Sequence, residues 1–432
     1  MEQKKILIIT YYWPPAGGPG VQRWLKFAKY LPESGWNPVI YTPENPSYPL
    51  LDESLLKDIP QNLEIIKTKI WEPYQLAEKL NKSNKKFKAG QFDVGKNQSW
   101  KSRLSIWVRG NFFIPDARVF WVKPSIKFLE QYLKENKIDV VVTSGPPHSL
   151  HMIGLGLKKK FPNLKWIADF RDPWTEISYY KHLKLTKNSD RKHRQLESAV
   201  FKNADITLAT SYTDAENFRK SGANAICITN GFDESDASSP TVATDEKKQK
   251  TFTLSYIGVL EQLRNPENFW KILAELVKEN KEFADNFTLK FAGRIDDKIL
   301  QSIENSNLKN HILNLGYISH DKAVEEMVNS NLLLITNFPN KSSKGIIPGK
   351  IFEYLATGKQ IISFGPNDAD VARILTETAA GKHFSYEDSN VIKDFILEKF
   401  ELWKKGSLLE NTQNIEQFSR KNLTKKLAEI LG

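Results

Sequence analysis

Short apolar runs alternate with amphipathic stretches along nearly the whole chain. In the first half the runs 5–10, 38–42, 63–68, 139–144, 165–170 and 205–210 read as strands. Between the first two, Val21, Trp24, Leu25, Ala28 and Leu31 share one helical face, which predicts a helix over 21–34 with Gly35 as its stop. Such strand–helix alternation predicts an α/β protein with a parallel, doubly wound sheet. The pattern lapses over 234–250, a polar stretch rich in Ser and Thr, and then restarts. Runs 252–258, 287–293, 311–316, 331–336 and 360–364 read as a second set of strands, and 387–432 as mostly helical. The expected organisation is two Rossmann-like domains, 1–233 and 251–400, joined by a linker at 234–250, with helices in 401–432. Ligands of such sheets bind beyond the carboxyl ends of the strands, which here predicts a deep cleft between the two halves.

A length of 432 residues also argues for two domains. Composition is that of a globular protein, with 40% hydrophobic and 26% charged residues. No apolar run is long enough to span a bilayer. The N-terminal "MEQKKILIITYYWPP" reads as a first strand and not as a signal peptide. Cys227 is the only cysteine, so no internal disulfide can form, and a reducing, cytoplasmic location is expected. The formal charge of +11 is concentrated in 79–127, a basic aromatic insertion with twelve Lys and Arg, two acids, and Trp100, Trp107, Phe112, Phe113, Phe120 and Trp121. Cations interleaved with aromatics suit an anionic membrane face, here on a peripheral protein, or a nucleic acid; a solvated insertion is the plain alternative. No nucleic-acid-binding motif accompanies them, and no nucleic-acid partner is expected.

Several polar groups fall where strands end. Gly17, Gly18 and Gly20 follow the first strand and open the first helix, which suits phosphate, although the spacing is neither a dinucleotide fingerprint nor a P-loop and an ordinary glycine turn remains open. His148 and His151, three apart, read as helix-capping or core histidines or as polar groups in the cleft, the last favoured for His148; too few partners surround them for zinc, and no metal is expected. Asp169, Arg171 and Asp172 crowd the end of another strand, either as a polar cluster on the acceptor side or as an Arg–Asp pair fixing a turn. Arg264 lies in a loop before a helix that Pro266 and Glu267 start. In "GIIPGKIFEYLATGKQIISFG" (345–365), Pro348 and Gly349 precede a helix whose first turn carries Lys350 and Glu353 among Ile351, Phe352, Tyr354, Leu355 and Ala356. A helix start disfavours a cation by about 0.3–1 kcal/mol, so a bound polyanion would explain Lys350, and Glu353 could accept from a ribose diol. A solvated Lys–Glu pair is the alternative. "DAD" at 368–370 precedes a helix, and Asp368 or Asp370 reads as its N-cap in preference to a metal ligand.

"PPAGGPG", "ITNGFD", "IGVLEQLRNPENF" and "PGKIFEYLATGKQII", in this order and at these separations, resemble the GT-B nucleotide-sugar glycosyltransferases, specifically glycosyltransferase family 4. The resemblance covers nearly the whole chain. It implies a retaining, metal-independent, cofactor-free transferase that moves a sugar from a nucleoside-diphosphate sugar. The acceptor would be a glycan or a lipid-linked glycan in envelope or exopolysaccharide assembly. By position it implies Gly17 and Gly18 near the donor phosphates, Arg264 and Lys350 on the diphosphate, Glu353 on the ribose, Gly349 at the donor and His148 near the transferred sugar, and it implies that the C-terminal helices in 401–432 return to the first domain. The chain departs from the pattern once: the first of two glutamates separated by seven residues is Gly345 here, with Ser342, Ser343, Lys344 or backbone N–H groups of this loop as possible substitutes. A UDP-sugar 2-epimerase and a catalytically degenerate sugar-nucleotide-binding subunit share the architecture and stay open as alternatives.

Overall fold

The computed structural model describes residues 3–73, 100–177, 180–233, 251–408 and 412–432. The expected linker 234–250, and the part of the basic aromatic insertion before Trp100, lie outside the described residues. Two compact units are present, Met1–Thr229 with Arg420–Gly432, and Asn230–Ser419.

The first unit is built on seven parallel strands, β1 (Lys4–Thr10), β2 (Trp36–Pro43), β3 (Glu64–Thr68), β4 (Val140–Gly145), β5 (Lys165–Phe170), β6 (Ile206–Ala209) and β7 (Ala225–Cys227), in the order β3-β2-β1-β4-β5-β6-β7. Both faces are covered, which is why Ile6–Ile9 of β1 and Val140–Val142 of β4 are apolar runs and nearly every residue of the two strands is buried. Ile6 and Ile8 face one core with Trp24, Leu25 and Leu427; Leu7 and Ile9 face the other with Trp121, Leu150 and Val200. The helix expected over 21–34 runs from Pro19 to Tyr30, tightens into a 3₁₀ turn over Leu31–Ser34, and stops at Gly35, whose φ of 81° only glycine adopts without strain. The last helix, Arg420–Leu431, packs beside it, and Lys165 Nζ donates to the final carbonyls of Ile430 and Leu431 at 2.8 and 2.7 Å.

The second unit repeats the construction with six parallel strands, β8 (Phe252–Ile257), β9 (Phe287–Ala292), β10 (Ile312–Asn314), β11 (Leu332–Thr336), β12 (Gln360–Phe364) and β13 (Gly381–Phe384), in the order β10-β9-β8-β11-β12-β13. Strand order reverses between β1 and β4 in one sheet and between β8 and β11 in the other. These are the points where the loops diverge and leave a crevice at the carboxyl edge. β7 and β13 were not evident from the apolar pattern, because both are short edge strands with polar or half-exposed residues.

One buried ion pair braces the first unit. Asp169, at the end of β5, accepts from Arg23 Nη2 at 2.9 Å, Trp24 Nε1 at 2.7 Å and Ser144 Oγ at 2.9 Å, all fully buried. Arg23 donates onward to the carbonyls of Ile228 and Thr229 at 2.9 and 3.0 Å. Removing one partner strands the other charge in an apolar interior. Asp169→Ala is therefore expected to destabilise the first unit by about 3–5 kcal/mol, as read by urea unfolding.

Candidate functional site

The carboxyl edge of the second sheet carries an unusual concentration of positive charge. Lys350 starts the helix Lys350–Ala356, with Gly349 as an N-cap that supplies no side chain. Ile351, Phe352, Tyr354 and Leu355 are buried, and the only charged side chains of this helix are Lys350 and Glu353, both half-buried. The Lys350 ammonium reaches back across the end of β8. It donates to the Ile257 carbonyl at 3.2 Å and stands 4.0 Å from the centre of the buried Tyr256 ring. Among the described residues it forms no ion pair. Burial pushes its pKa below the ordinary lysine range, the Tyr256 hydroxyl opposes this, and the Arg264 guanidinium adds to the depression while Glu353 partly offsets it.

Arg264 closes the 3₁₀ turn Gln262–Arg264 that follows β8. Its Nη2 donates to the Val259 carbonyl at 3.1 Å, an oxygen that also accepts from the Tyr256 hydroxyl at 2.8 Å. The guanidinium lies 5.6 Å from the Phe338 ring centre, just past β11, and its buried Nε has no hydrogen-bond partner. Glu261 approaches only to 3.6 Å. Tyr386 fixes the surrounding loops by donating to the carbonyls of Arg264 (3.2 Å) and Asn337. Two cations thus sit at the switch point between β8 and β11, held by carbonyls and rings and short of carboxylates.

Glycine keeps this edge open. Gly258, Gly293 and Gly316 follow β8, β9 and β10, all with positive φ, and the Gly293 N–H donates to the Gly316 carbonyl at 2.6 Å. A side chain on Gly293 would strike the Gly258 carbonyl, and a methyl on Gly258 would stand 3.3 Å from the Lys350 ammonium. Around Gly349 a methyl would meet nothing, so the backbone there faces open space. The helix behind it spans seven residues, too short for its dipole to rival two full charges, so the side chains dominate the field.

Neighbouring groups are committed elsewhere. Lys344 pairs with Asp368 at 2.7 Å, Ser343 donates to the carbonyls of Phe338 and Asn340, and Ser342 donates to Asn340. The side chains of Ser342, Ser343 and Lys344 are therefore already engaged, which leaves the backbone N–H groups of this loop as the other substitute for the glutamate absent at Gly345. The N-cap expected at Asp368 or Asp370 is instead Ala369. Asp370 is the first helical residue, with its N–H on the Lys344 carbonyl, and the ion pair to Lys344 draws Asp368 away.

In the first unit, Gly17 donates its N–H to the Leu50 carbonyl and Gly18 caps the helix from Pro19 at a φ of 99°. The close approach, however, falls on Gly20, where any side chain would collide with the Arg171 guanidinium. Arg171 donates to the Pro146 carbonyl and lies 5.5 Å from the Tyr12 ring centre. In the expected cluster, Asp169 is turned inward onto Arg23, Arg171 faces the glycine loop and Asp172 is exposed, while the Arg171 guanidinium interacts electrostatically with both carboxylates. His148 is buried and stacked on Trp174 at 4.9 Å, with its Nδ1 unpartnered; His151 stacks on Phe170 at 4.3 Å. Burial holds both imidazoles neutral, His151 down to about 3. Among the described residues no group of three or more His, Cys, Asp or Glu is arranged to hold a metal ion.

Solved structures with this architecture align over nearly the full chain. HepE of Anabaena, in complex with UDP, matches with a TM-score of 0.61 at 15% identity over 99% of both chains. Sucrose-phosphate synthase of Thermosynechococcus elongatus matches at 0.56 and 13%, over 99% of this chain and 98% of its own. WaaG, a glycosyltransferase involved in lipopolysaccharide biosynthesis, matches at 0.52 and 13%, over 99% of both. The fold is GT-B. Identity at this level shows the GT-B fold alone, and family 4 rests on the sequence motifs. No protein-family model matches the chain, and no curated protein does.

An anion seated on Lys350 restores its charged form, so binding takes up a proton once pH passes the lowered pKa. Affinity for inorganic pyrophosphate is expected to fall as pH rises, starting below the usual lysine value of 10.5. Lys350→Arg, which stays charged, is expected to move that fall to higher pH in calorimetric titrations.

Proposed function

We propose that this chain is a glycosyltransferase that takes its sugar from a nucleoside diphosphate. One observation carries the reading: the under-compensated cation pair Lys350 and Arg264 at the switch point of a GT-B sheet. Two cations backed by carbonyls form a poor resting arrangement and a good seat for a pyrophosphate. HepE crystallised with UDP makes a uridine nucleotide the first candidate. Glu353, one turn from Lys350 and half-buried, is assigned to the ribose hydroxyls, and the open backbone at Gly349 to donor contact.

Bond cleavage between the anomeric carbon and the phosphate oxygen places negative charge on the departing diphosphate. Lys350 and Arg264 are already in place to stabilise it, so no reorganisation is needed at the moment of reaction. In this mechanism they do the work that a divalent metal does in other transferases. The acceptor hydroxyl attacks from the face the phosphate leaves, its oxygen bonds to the anomeric carbon, and its proton passes to the departing phosphate, giving retention. No carboxylate nucleophile is assigned, because the carboxylates near the pair are Glu261 and Glu353, both tied to the loop or the ribose role. On the first unit, the unpartnered Nδ1 makes His148 the group we assign to sugar contact. The acceptor is taken to be a glycan or a lipid-linked glycan of the kind used in envelope or exopolysaccharide assembly.

A second reading is favoured by Gly345, where the sequence pattern has a glutamate: a subunit that binds a sugar nucleotide without transferring it. A melting-temperature screen with nucleoside diphosphates, followed by consumption of the matching sugar nucleotide, separates the readings. Consumption that requires an acceptor, with a retained anomer in the NMR spectrum of the product, supports transfer; UDP release from donor alone supports epimerase chemistry; stabilisation without turnover supports the binding subunit.

Lys350→Ala is expected to lower kcat by about tenfold or more with the melting temperature preserved. Unchanged turnover would remove the phosphate role. Glu353→Gln is expected to weaken UDP or GDP binding in calorimetry while leaving the fold intact.

A further inference from the structure

The first unit displays apolar side chains that its core does not use. In the helix Trp100–Phe112, Trp100 is 69% exposed, and Leu104 and Trp107 are exposed beside it. Spaced at i, i+4 and i+7, they form one stripe within about 60° of the helix circumference, opposite the side where Ile106 is buried. The next helix, Val119–Glu135, does the same: Phe120, Lys123, Pro124, Lys127 and Phe128 share an exposed face, while Trp121, Ser125 and Leu129 turn into the core. Trp71 packs edge-on against Phe120 at 4.6 Å, and Phe113 lies 5.9 Å from the same ring. Isolated exposed apolar residues are ordinary; two adjoining helices that both present aromatics are not.

The charges around these stripes have one sign. Exposed Arg103, Lys123 and Lys127 are joined by Lys181, Lys184 and Lys187, in a segment anchored to the first helix because Asn111 donates to the Lys184 carbonyl and accepts from the Thr186 N–H. Between residues 100 and 129 the only acid is Asp116, and its carboxylate is occupied by the Ser149 N–H and hydroxyl. No described helix is long and apolar enough to cross a membrane.

The geometry points to a docking surface for an anionic lipid bilayer. Tryptophan and phenylalanine enter the headgroup boundary, flanking lysines and arginines meet the lipid phosphates, and the helices lie in the plane of the interface. A protein partner would need an acidic rim of matching shape, whereas a bilayer supplies both apolar depth and diffuse negative charge. This surface lies on residues separate from the cation pair and does not depend on turnover there. It would bring a lipid-linked acceptor to the enzyme.

The test is sedimentation of the full chain with vesicles of phosphatidylcholine alone and with about one-third phosphatidylglycerol. Binding at least about tenfold stronger to the anionic vesicles, weakening as salt rises, is expected. Trp100→Ala with Trp107→Ala, and separately Lys123→Glu with Lys127→Glu, are each expected to abolish that preference while melting temperature and UDP response stay unchanged. The charge-reversed pair lies on an exposed face and keeps the test valid should the tryptophan variant misfold. Equal binding to both vesicles, no binding, variants that bind like the parent, or tighter binding to single-stranded RNA than to anionic vesicles would each overturn the proposal.

Discussion

A half-buried ammonium that forms no ion pair among the described residues is the constraint around which the second unit is arranged. Lys350 is taken partly out of water and given only a backbone carbonyl at 3.2 Å and the face of Tyr256 in return. A carbonyl and a ring recover part of the lost hydration, and nearby Arg264 works against it. The fold nevertheless holds it there, because Ile351, Phe352, Tyr354 and Leu355 anchor the helix in the core. Tyr354 fixes the register by accepting from the Ile257 N–H at 3.2 Å. Core packing thus supplies the stability that the charged site withholds, a familiar division at functional sites.

The contrast with the first unit is instructive. There buried charges are answered: Asp169 takes two nitrogens of Arg23 and two carbonyls take the third, and Arg118 pairs with the buried Glu72 at 3.0 Å. Both units have parallel sheets and a strand-order reversal. One carries a saturated ion pair that locks the helix after β1 to β4 and β5. The other carries cations left short of partners at the corresponding edge. Saturation makes the first a brace, while the second, where Glu261 stands 3.6 Å from Arg264 and Lys350 forms no ion pair among the described residues, has the incomplete compensation on which the proposed anion seat rests.

Much of this was legible before any coordinates. Eleven strands follow from the apolar pattern, since a strand covered on both faces must be apolar throughout. Lys350 and Arg264 stood out because a cation at a helix start, and one in a loop after a strand, lack a structural reason. Asp169 was misleading for a physical cause: its partner Arg23 is 146 residues away, and no local pattern signals a pairing made by the sheet. Asp368 misled in the same way, its ion pair to Lys344 drawing it from the helix it precedes. The roles of Tyr256, Phe338 and Tyr386 were also hidden, because each acts through a contact with residues of another loop or element.

By itself, then, the chain settled its class, the alternation of its elements and the residue types able to meet a diphosphate, because periodicity and helix punctuation are local properties. Tertiary structure decided which charges are answered and which are left waiting. It set Lys350 across the end of β8, turned Asp169 inward, put Gly20 rather than Gly17 against Arg171, and left the aromatics of two neighbouring helices facing outward. Those outcomes depend on distances between residues far apart in sequence, and only the folded sheets fix such distances.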